Sequence, residues 1–231
     1  MRRNPPTPLP ASRLPPQPIG LLGGTFDPIH KGHLMVAEEV RRRLAPAEVV
    51  FVPAGQPWLK ADRRISRVED RVEMVRRAIQ GNPHYSLSTA ETERQGPTYT
   101  VDTIRELRSQ VSAQDELYFI IGWDNLLDLP RWREPAELIS LCKLVAVPRI
   151  GFRVPDAATL EKLIPGLSGR VILLDKPEID ISASVIRERV RRGLPINELV
   201  PPSVAEYIAE RGLYKKSSPL AGHDKGAHSD D

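Results

Sequence analysis

The stretch LLGGTFDPIHKGHL, Leu21 to Leu34, decides how the rest of the chain reads. The run Ile19-Gly20-Leu21-Leu22 before it is a short apolar strand. Gly23 and Gly24 open a turn, and Asp27-Pro28 is a turn dipeptide. From Pro28 to about Leu44, Val36, Ala37, Val40 and Leu44 recur at helical spacing. A glycine turn entering a helix N-terminus is an anion site, because unpaired N–H groups and the helix dipole both favour phosphate. Two phosphate fingerprints fail here. GGTFDP is not G-x-G-x-x-G, and no G-K-[ST] ending follows it. The donors left are His30 and His33, read as positive groups that share one face of the first helical turn. Two other readings stay open. A metalloprotease-type pair is spaced i, i+4 with a glutamate between, which this pair is not. Two satisfied structural histidines are the other.

The chain has 231 residues, of which 40% are hydrophobic and 27% charged, a globular composition of about one domain. It holds no apolar run of about 18 residues that could span a membrane, and its basic N-terminus lacks the apolar core of a signal peptide. A single cysteine, Cys142, excludes an internal disulfide and a cysteine-built zinc site. Together these features favour the cytoplasm. A formal net charge of +3 suits anionic ligands and is too small to argue for nucleic acid.

Residues 1–18 are rich in proline and read as a disordered tail. Residues 216–231 are polar and read as a second one, with His223 and His228 as solvated side chains. Between them, strands and helices alternate. The strands are IGLLGG, EVVFVPA, YSLS, ELYFIIG, KLVAVPR and RVILLD. The helix after Ser66 has a capping box with Glu69 and an apolar stripe at Val68, Val72, Val75 and Ile79; Gly81 and Pro83 stop it. YTVDTIRELRSQV is a helix with Val101, Ile104 and Val111 inward. SASVIRERVRRG and SVAEYIAERG close the fold, the latter with a Ser203–Glu206 capping box. This alternation predicts an α/β fold over residues 19–215, a Rossmann-like doubly wound parallel sheet with helices on both faces. Ligands in such sheets lie beyond the carboxyl ends of the strands, where the opening motif sits.

GGTFDPIHKGHL resembles the signature of nucleotidyltransferases that carry an H-x-G-H motif. ISASVIRER, Ile181 to Arg189, resembles the I-S-x-[ST]-x-I-R segment of the same superfamily. Two signatures in this order are far more specific than either alone. RQGPTYTVDTI and FIIGWDNLLDLPRW are similar to segments that mark bacterial nicotinate-nucleotide adenylyltransferases, and LVPPSVAEYIAERGLY is similar to their C-terminus. The resemblance covers nearly the whole folded part.

It implies an adenylyl transfer from ATP to nicotinate mononucleotide, with Mg²⁺ carried by the triphosphate. Gly23, Gly24, Thr25 and Phe26 would offer backbone N–H groups to ATP. His30 and His33 would bond its phosphates. Arg187 would reach the β/γ end, with Ser184 on the same helical face. Asp124 would accept from the ATP ribose, its alternative being a helix N-cap. Trp132 would stack on the nicotinate ring, its alternative being ordinary packing. Donors near Thr98, Tyr99 and Arg133 would hold the ring carboxylate. Many relatives carry Pro-Pro-His-Lys after the second strand; this chain has GQPWLK, in which Lys60 keeps a charge for the acceptor phosphate. The expected partners are ATP and the mononucleotide, with no nucleic acid or membrane, and a homo-oligomer is compatible.

Competing readings are an adenylyltransferase for nicotinamide mononucleotide or pantetheine phosphate, and a catalytically inactive nucleotide-binding regulator. A class I aminoacyl-tRNA synthetase fragment would need a longer chain and a lysine-rich second signature. An RNA-binding protein using RERVRRG would show salt-dependent binding.

Overall fold

The computed structural model describes residues 18–45, 48–57 and 65–215. Lys60, His223, His228 and both proposed tails (apart from residue 18) lie outside the described residues. The elements run in chain order as β1 (Ile19–Gly24), α1 (Lys31–Leu44), β2 (Glu48–Pro53), β3 (Gln56–Pro57), α2 (Val68–Ile79), β4 (Tyr85–Leu87), α3 (Ala90–Glu93), β5 (Pro97–Thr98) and α4 (Thr100–Ser109). They continue as β6 (Leu117–Gly122), α5 (Trp123–Asp128), α6 (Pro135–Leu141), β7 (Lys143–Val147), α7 (Ala157–Leu163), β8 (Val171–Leu173), α8 (Ala183–Arg191) and α9 (Pro202–Glu210).

Six strands form one sheet in the order β4-β2-β1-β6-β7-β8, and every neighbouring pair is parallel. The strand order runs outward in both directions from the β1–β6 pair. That pair is the switch point, where a doubly wound sheet opens a crevice at its carboxyl edge. β3 and β5 make a separate two-stranded parallel ribbon, Gln56 beside Pro97 and Pro57 beside Thr98.

Both faces of the sheet are covered, and the strand residues alternate between them. Leu21, Val50, Phe119, Ile121 and Leu144 pack on one side with Val101 and Ile104 of α4 and Leu138 of α6. Leu22, Phe51, Ile120 and Val145 pack on the other with Val36 and Val40 of α1, Val75 of α2, Ile186 of α8 and Val204 of α9. Burying each such side chain contributes about 1.5–3 kcal/mol, and a one-residue slip would move every one of them to the wrong face. The strand register, and with it the position of the crevice, is therefore held from both sides.

Several local expectations are corrected. The first helix starts at Lys31 instead of Pro28, with His30 as its extended N-cap. Neither serine capping box forms. α2 starts on Arg67 without a side-chain cap, and the backbone N–H of Ser66 donates to Asp27 Oδ2 at 3.2 Å. α9 is capped by Pro201, and Ser203 Oγ instead donates to the Arg77 carbonyl at 3.1 Å. Ser66 stands one residue before the N-cap of α2 and Ser203 is already inside α9, so neither side chain is where a capping box needs it. Val111 falls beyond the end of α4, whose third buried apolar residue is Leu107. Among the described residues, no helix is long and apolar enough to cross a membrane.

Candidate active site

A cleft of about 620 Å³ opens at the carboxyl ends of β1 and β6. Gly23, Gly24, Thr25, Phe26, His30, His33, Thr98, Asp124, Trp132, Ser184 and Arg187 all line it. The sequence scatters these residues over more than 160 positions, and the fold brings them to one place.

The turn after β1 is built by close packing. A Cβ on Gly24 would lie 2.9 Å from the Phe26 ring, and Phe26 itself takes a left-handed φ of 48°. His30 caps α1, and its backbone N–H donates to His33 Nδ1 at 3.2 Å. The two imidazoles stack with centroids 3.7 Å apart, and Phe26 meets His33 edge-on at 5.0 Å. Between the histidines, Gly32 leaves no space for a side chain: a Cβ there would sit 2.6 Å from Ile179 Cγ2 and 3.0 Å from His30 Nδ1. Glycine at the third position of the H-x-G-H motif therefore lets the segment before α8 close down on the histidine pair.

One expectation about these histidines changes. His30 is 5% exposed, and its Nδ1 has no hydrogen-bond partner among the described residues. Burial, reinforced by the positive charge of Arg149, lowers its pKa to about 4. His30 is thus a neutral imidazole at pH 7, and not the positive group the sequence suggests. An anion placed beside it favours the protonated form.

Arg187 projects from α8 and donates from Nη1 to the Asp27 carbonyl at 2.6 Å. The same helix begins at the cleft. Its N-cap, Ser182, accepts from the Val185 N–H at 3.3 Å and lies 3.1 Å from the Ser184 hydroxyl. The starts of α1 and α8 thus both border the cleft, where the positive end of each helix dipole favours an anion, although the Lys31 N–H already donates to the Leu199 carbonyl at 2.9 Å.

Asp124 sits in the first turn of α5, whose N-cap is Gly122, so the capping alternative does not hold. Its Oδ1 occupies space that a Cβ on Gly122 would reach at 2.3 Å. The carboxylate folds back over the strand end and faces the cleft. Trp132 lines the cleft from the other face of the sheet, 6.2 Å from Phe119 in an edge-on contact, and its Nε1 has no partner among the described residues. It is both packed and presented. Thr98 is buried in the wall. Tyr99 and Arg133 do not line the cleft; the Arg133 guanidinium lies 4.8 Å over the Tyr99 ring.

Two wall-building arginines carry no clear mark in the sequence. Arg149 lines the cleft just past β7. Arg71 is almost wholly buried and donates to four carbonyls: Thr25 at 2.8 Å, Ala54 at 2.7 Å, Gly55 at 3.1 Å and Ser66 at 3.2 Å. It ties the turn after β1 to the end of β2. Its signal in the sequence is faint: a charge beside Val72, on the stripe side of α2. Glu91, also in the wall, accepts from Thr103 Oγ1 at 2.9 Å, and burial raises its pKa.

Fold and cleft together define a nucleotidyltransferase, and residues 21–189 match the cytidylyltransferase-like family model. The chain is 52% identical over 197 residues to a Dehalococcoides mccartyi protein named as a probable nicotinate-nucleotide adenylyltransferase, covering 85% of this chain and 97% of that one. A protein of the same name from Thermomicrobium roseum is 46% identical over 197 residues, covering 85% of this chain and 91% of that one. Among solved structures, the fold resembles Plasmodium falciparum nicotinic acid mononucleotide adenylyltransferase complexed with NaAD. The TM-score is 0.67 at 23% identity, over 86% of this chain and 97% of that chain. The chain belongs to the nicotinate-nucleotide adenylyltransferase family, enzymes of nucleotidyl transfer in NAD biosynthesis.

Proposed function

We propose that this cleft transfers the adenylyl group of ATP to nicotinate mononucleotide through the residues described above. An oxygen of the mononucleotide phosphate attacks the α-phosphorus of ATP. The new P–O bond forms as the bond to the β-phosphate oxygen breaks, giving deamido-NAD and pyrophosphate. A phosphate monoester has a second pKa near 6, so the nucleophile is largely ionised at neutral pH and needs little base assistance. The reaction needs alignment of two polyanions and relief of charge on the leaving group.

The observation that carries this reading is the convergence of His30, His33, Arg187 and the starts of α1 and α8 on one side of the cleft. His33 and His30 bond the ATP phosphates, and the arriving charge favours protonation of His30. Arg187 neutralises the β/γ end. The N–H groups of Gly23 to Phe26 approach the polyphosphate, Ser184 adds a hydroxyl, and Asp124 accepts from the ribose. Across the sheet, Trp132 stacks on the nicotinate ring. N–H groups beside Thr98 in the cleft wall receive its carboxylate; Tyr99 and Arg133, assigned to it by the resemblance, lie outside the lining. Lys60 lies outside the described residues, and its role at the acceptor phosphate rests on the sequence. The imidazoles, guanidiniums and N–H donors around the phosphate side suit phosphate oxygens. Mg²⁺ would enter as part of the substrate, bound to ATP.

The test is pyrophosphate release from ATP and Mg²⁺ with nicotinate or nicotinamide mononucleotide as acceptor. A pocket of N–H donors favours the carboxylate by about 2–5 kcal/mol, so nicotinate mononucleotide is expected to lead in kcat/KM by about a hundredfold or more. His33→Ala should lower turnover by roughly 10²–10³-fold. Equal rates with both acceptors would reject the nicotinate assignment.

A further inference from the structure

The turn that carries the ATP-binding N–H groups is held by a residue far along the chain. Phe26 is held at φ 48°, a region unfavourable to any side chain, so its neighbours must fix it there. On one side Arg71 grips the Thr25 carbonyl at 2.8 Å. On the other, Asp27 is 5% exposed and anchored three ways. Its carbonyl accepts from Arg187 at 2.6 Å, its Oδ2 from the Ser66 N–H at 3.2 Å, and its Oδ1 from the Tyr214 hydroxyl at 2.7 Å. Tyr214 reaches this position because the chain hooks back after α9 through Gly212 at φ 61° and Tyr214 itself at φ 64°. Burial, then the charge of Asp27, push the phenol's pKa up, so it stays a donor at every working pH.

We infer that Tyr214 is a positioning residue for adenylyl transfer: through Asp27 it sets the phosphate turn and the register of Arg187. The inference rests on the ATP-site roles proposed above. It makes the C-terminal hook part of the ATP site and not merely a clasp on the fold. The carboxylate of Asp27 lies beside a site for a polyanion, where a negative charge is a poor neighbour. Tied to Tyr214 and Ser66, with Arg71 nearby, it acts as a fixed hub.

The same helix supplies the control. Tyr207 donates to Asp70 Oδ1 at 2.8 Å, and Asp70 is as buried as Asp27. That bond joins α9 to α2 without touching a residue that lines the cleft. Tyr214→Phe and Tyr207→Phe each remove one phenol–carboxylate bond from the full-length protein. Both should lower Tm. Only Tyr214→Phe should lower kcat/KM for ATP, by about tenfold, weaken ATP binding measured directly by calorimetry, and leave KM for nicotinate mononucleotide within about twofold of wild type. The inference is overturned if Tyr214→Phe lowers Tm while ATP affinity and kcat/KM stay within about twofold. It is overturned equally if Tyr207→Phe causes the same kinetic loss. His33→Ala is run alongside. Its normal turnover would reject the site reading, whereas its inactivity beside a kinetically normal Tyr214→Phe would reject only the role of the hook.

Discussion

The neutral state of His30 makes a prediction about acid stability. Burial holds its pKa at about 4, against 6.5 for an exposed imidazole. The unfolded chain therefore takes up a proton at this residue first as the pH falls. Stability from this source is whole above pH 6.5 and is lost as the pH drops through 4. Linkage over those two values gives a loss of about 2 kcal/mol between pH 7 and pH 5, approaching about 3 kcal/mol at pH 4. The carboxylates of the protein also titrate in this range, so the measurement must be a difference. Urea denaturation of the wild type and of His30→Asn at pH 7, 6 and 5 isolates it, because asparagine has no proton to gain. The variant's absolute stability is immaterial; only the change with pH counts. The wild type should lose about 2 kcal/mol more than His30→Asn across that interval. Parallel pH dependences in the two proteins would refute the argument that His30 is buried as the neutral form.

Gly32→Ala places a Cβ 2.6 Å from Ile179 Cγ2 and against His30, so it should cost about 1–3 kcal/mol of stability and depress turnover beyond that loss; a fully active, equally stable variant would show that the two segments can part without consequence. Arg71→Met leaves four carbonyls without their donor and should destabilise the protein by about 3 kcal/mol or more, with a raised KM for ATP; unchanged denaturation midpoints and kinetics would remove Arg71 from the support of the turn.

Much of this molecule is legible in its amino-acid sequence. Alternating apolar strands and periodic helices specify a doubly wound sheet, since runs such as ELYFIIG have no polar face to leave in water. The glycine turn and the H-x-G-H spacing locate the site, because both are local consequences of backbone geometry at a helix start. The second signature around Arg187 is equally local. What the sequence alone could not decide depends on contacts between distant segments. The capping boxes at Ser66 and Ser203 follow the local rule, but the helices take Arg67 and Pro201 as their N-caps, and the serines bond segments 39 and 126 residues away. The charge of His30 follows from burial beneath Ile179 and from Arg149, neither of which its neighbours in the chain reveal. Arg71 is one charge among several in the sequence of α2 until the fold seats it under the turn it supports. Tyr214 lies past the last helix read from the sequence, and only the returning chain sets its hydroxyl on Asp27. Periodicity and turn chemistry act over a few residues and survive in a sequence. Desolvation and long-range hydrogen bonds exist only once the sheet has brought its strand ends together.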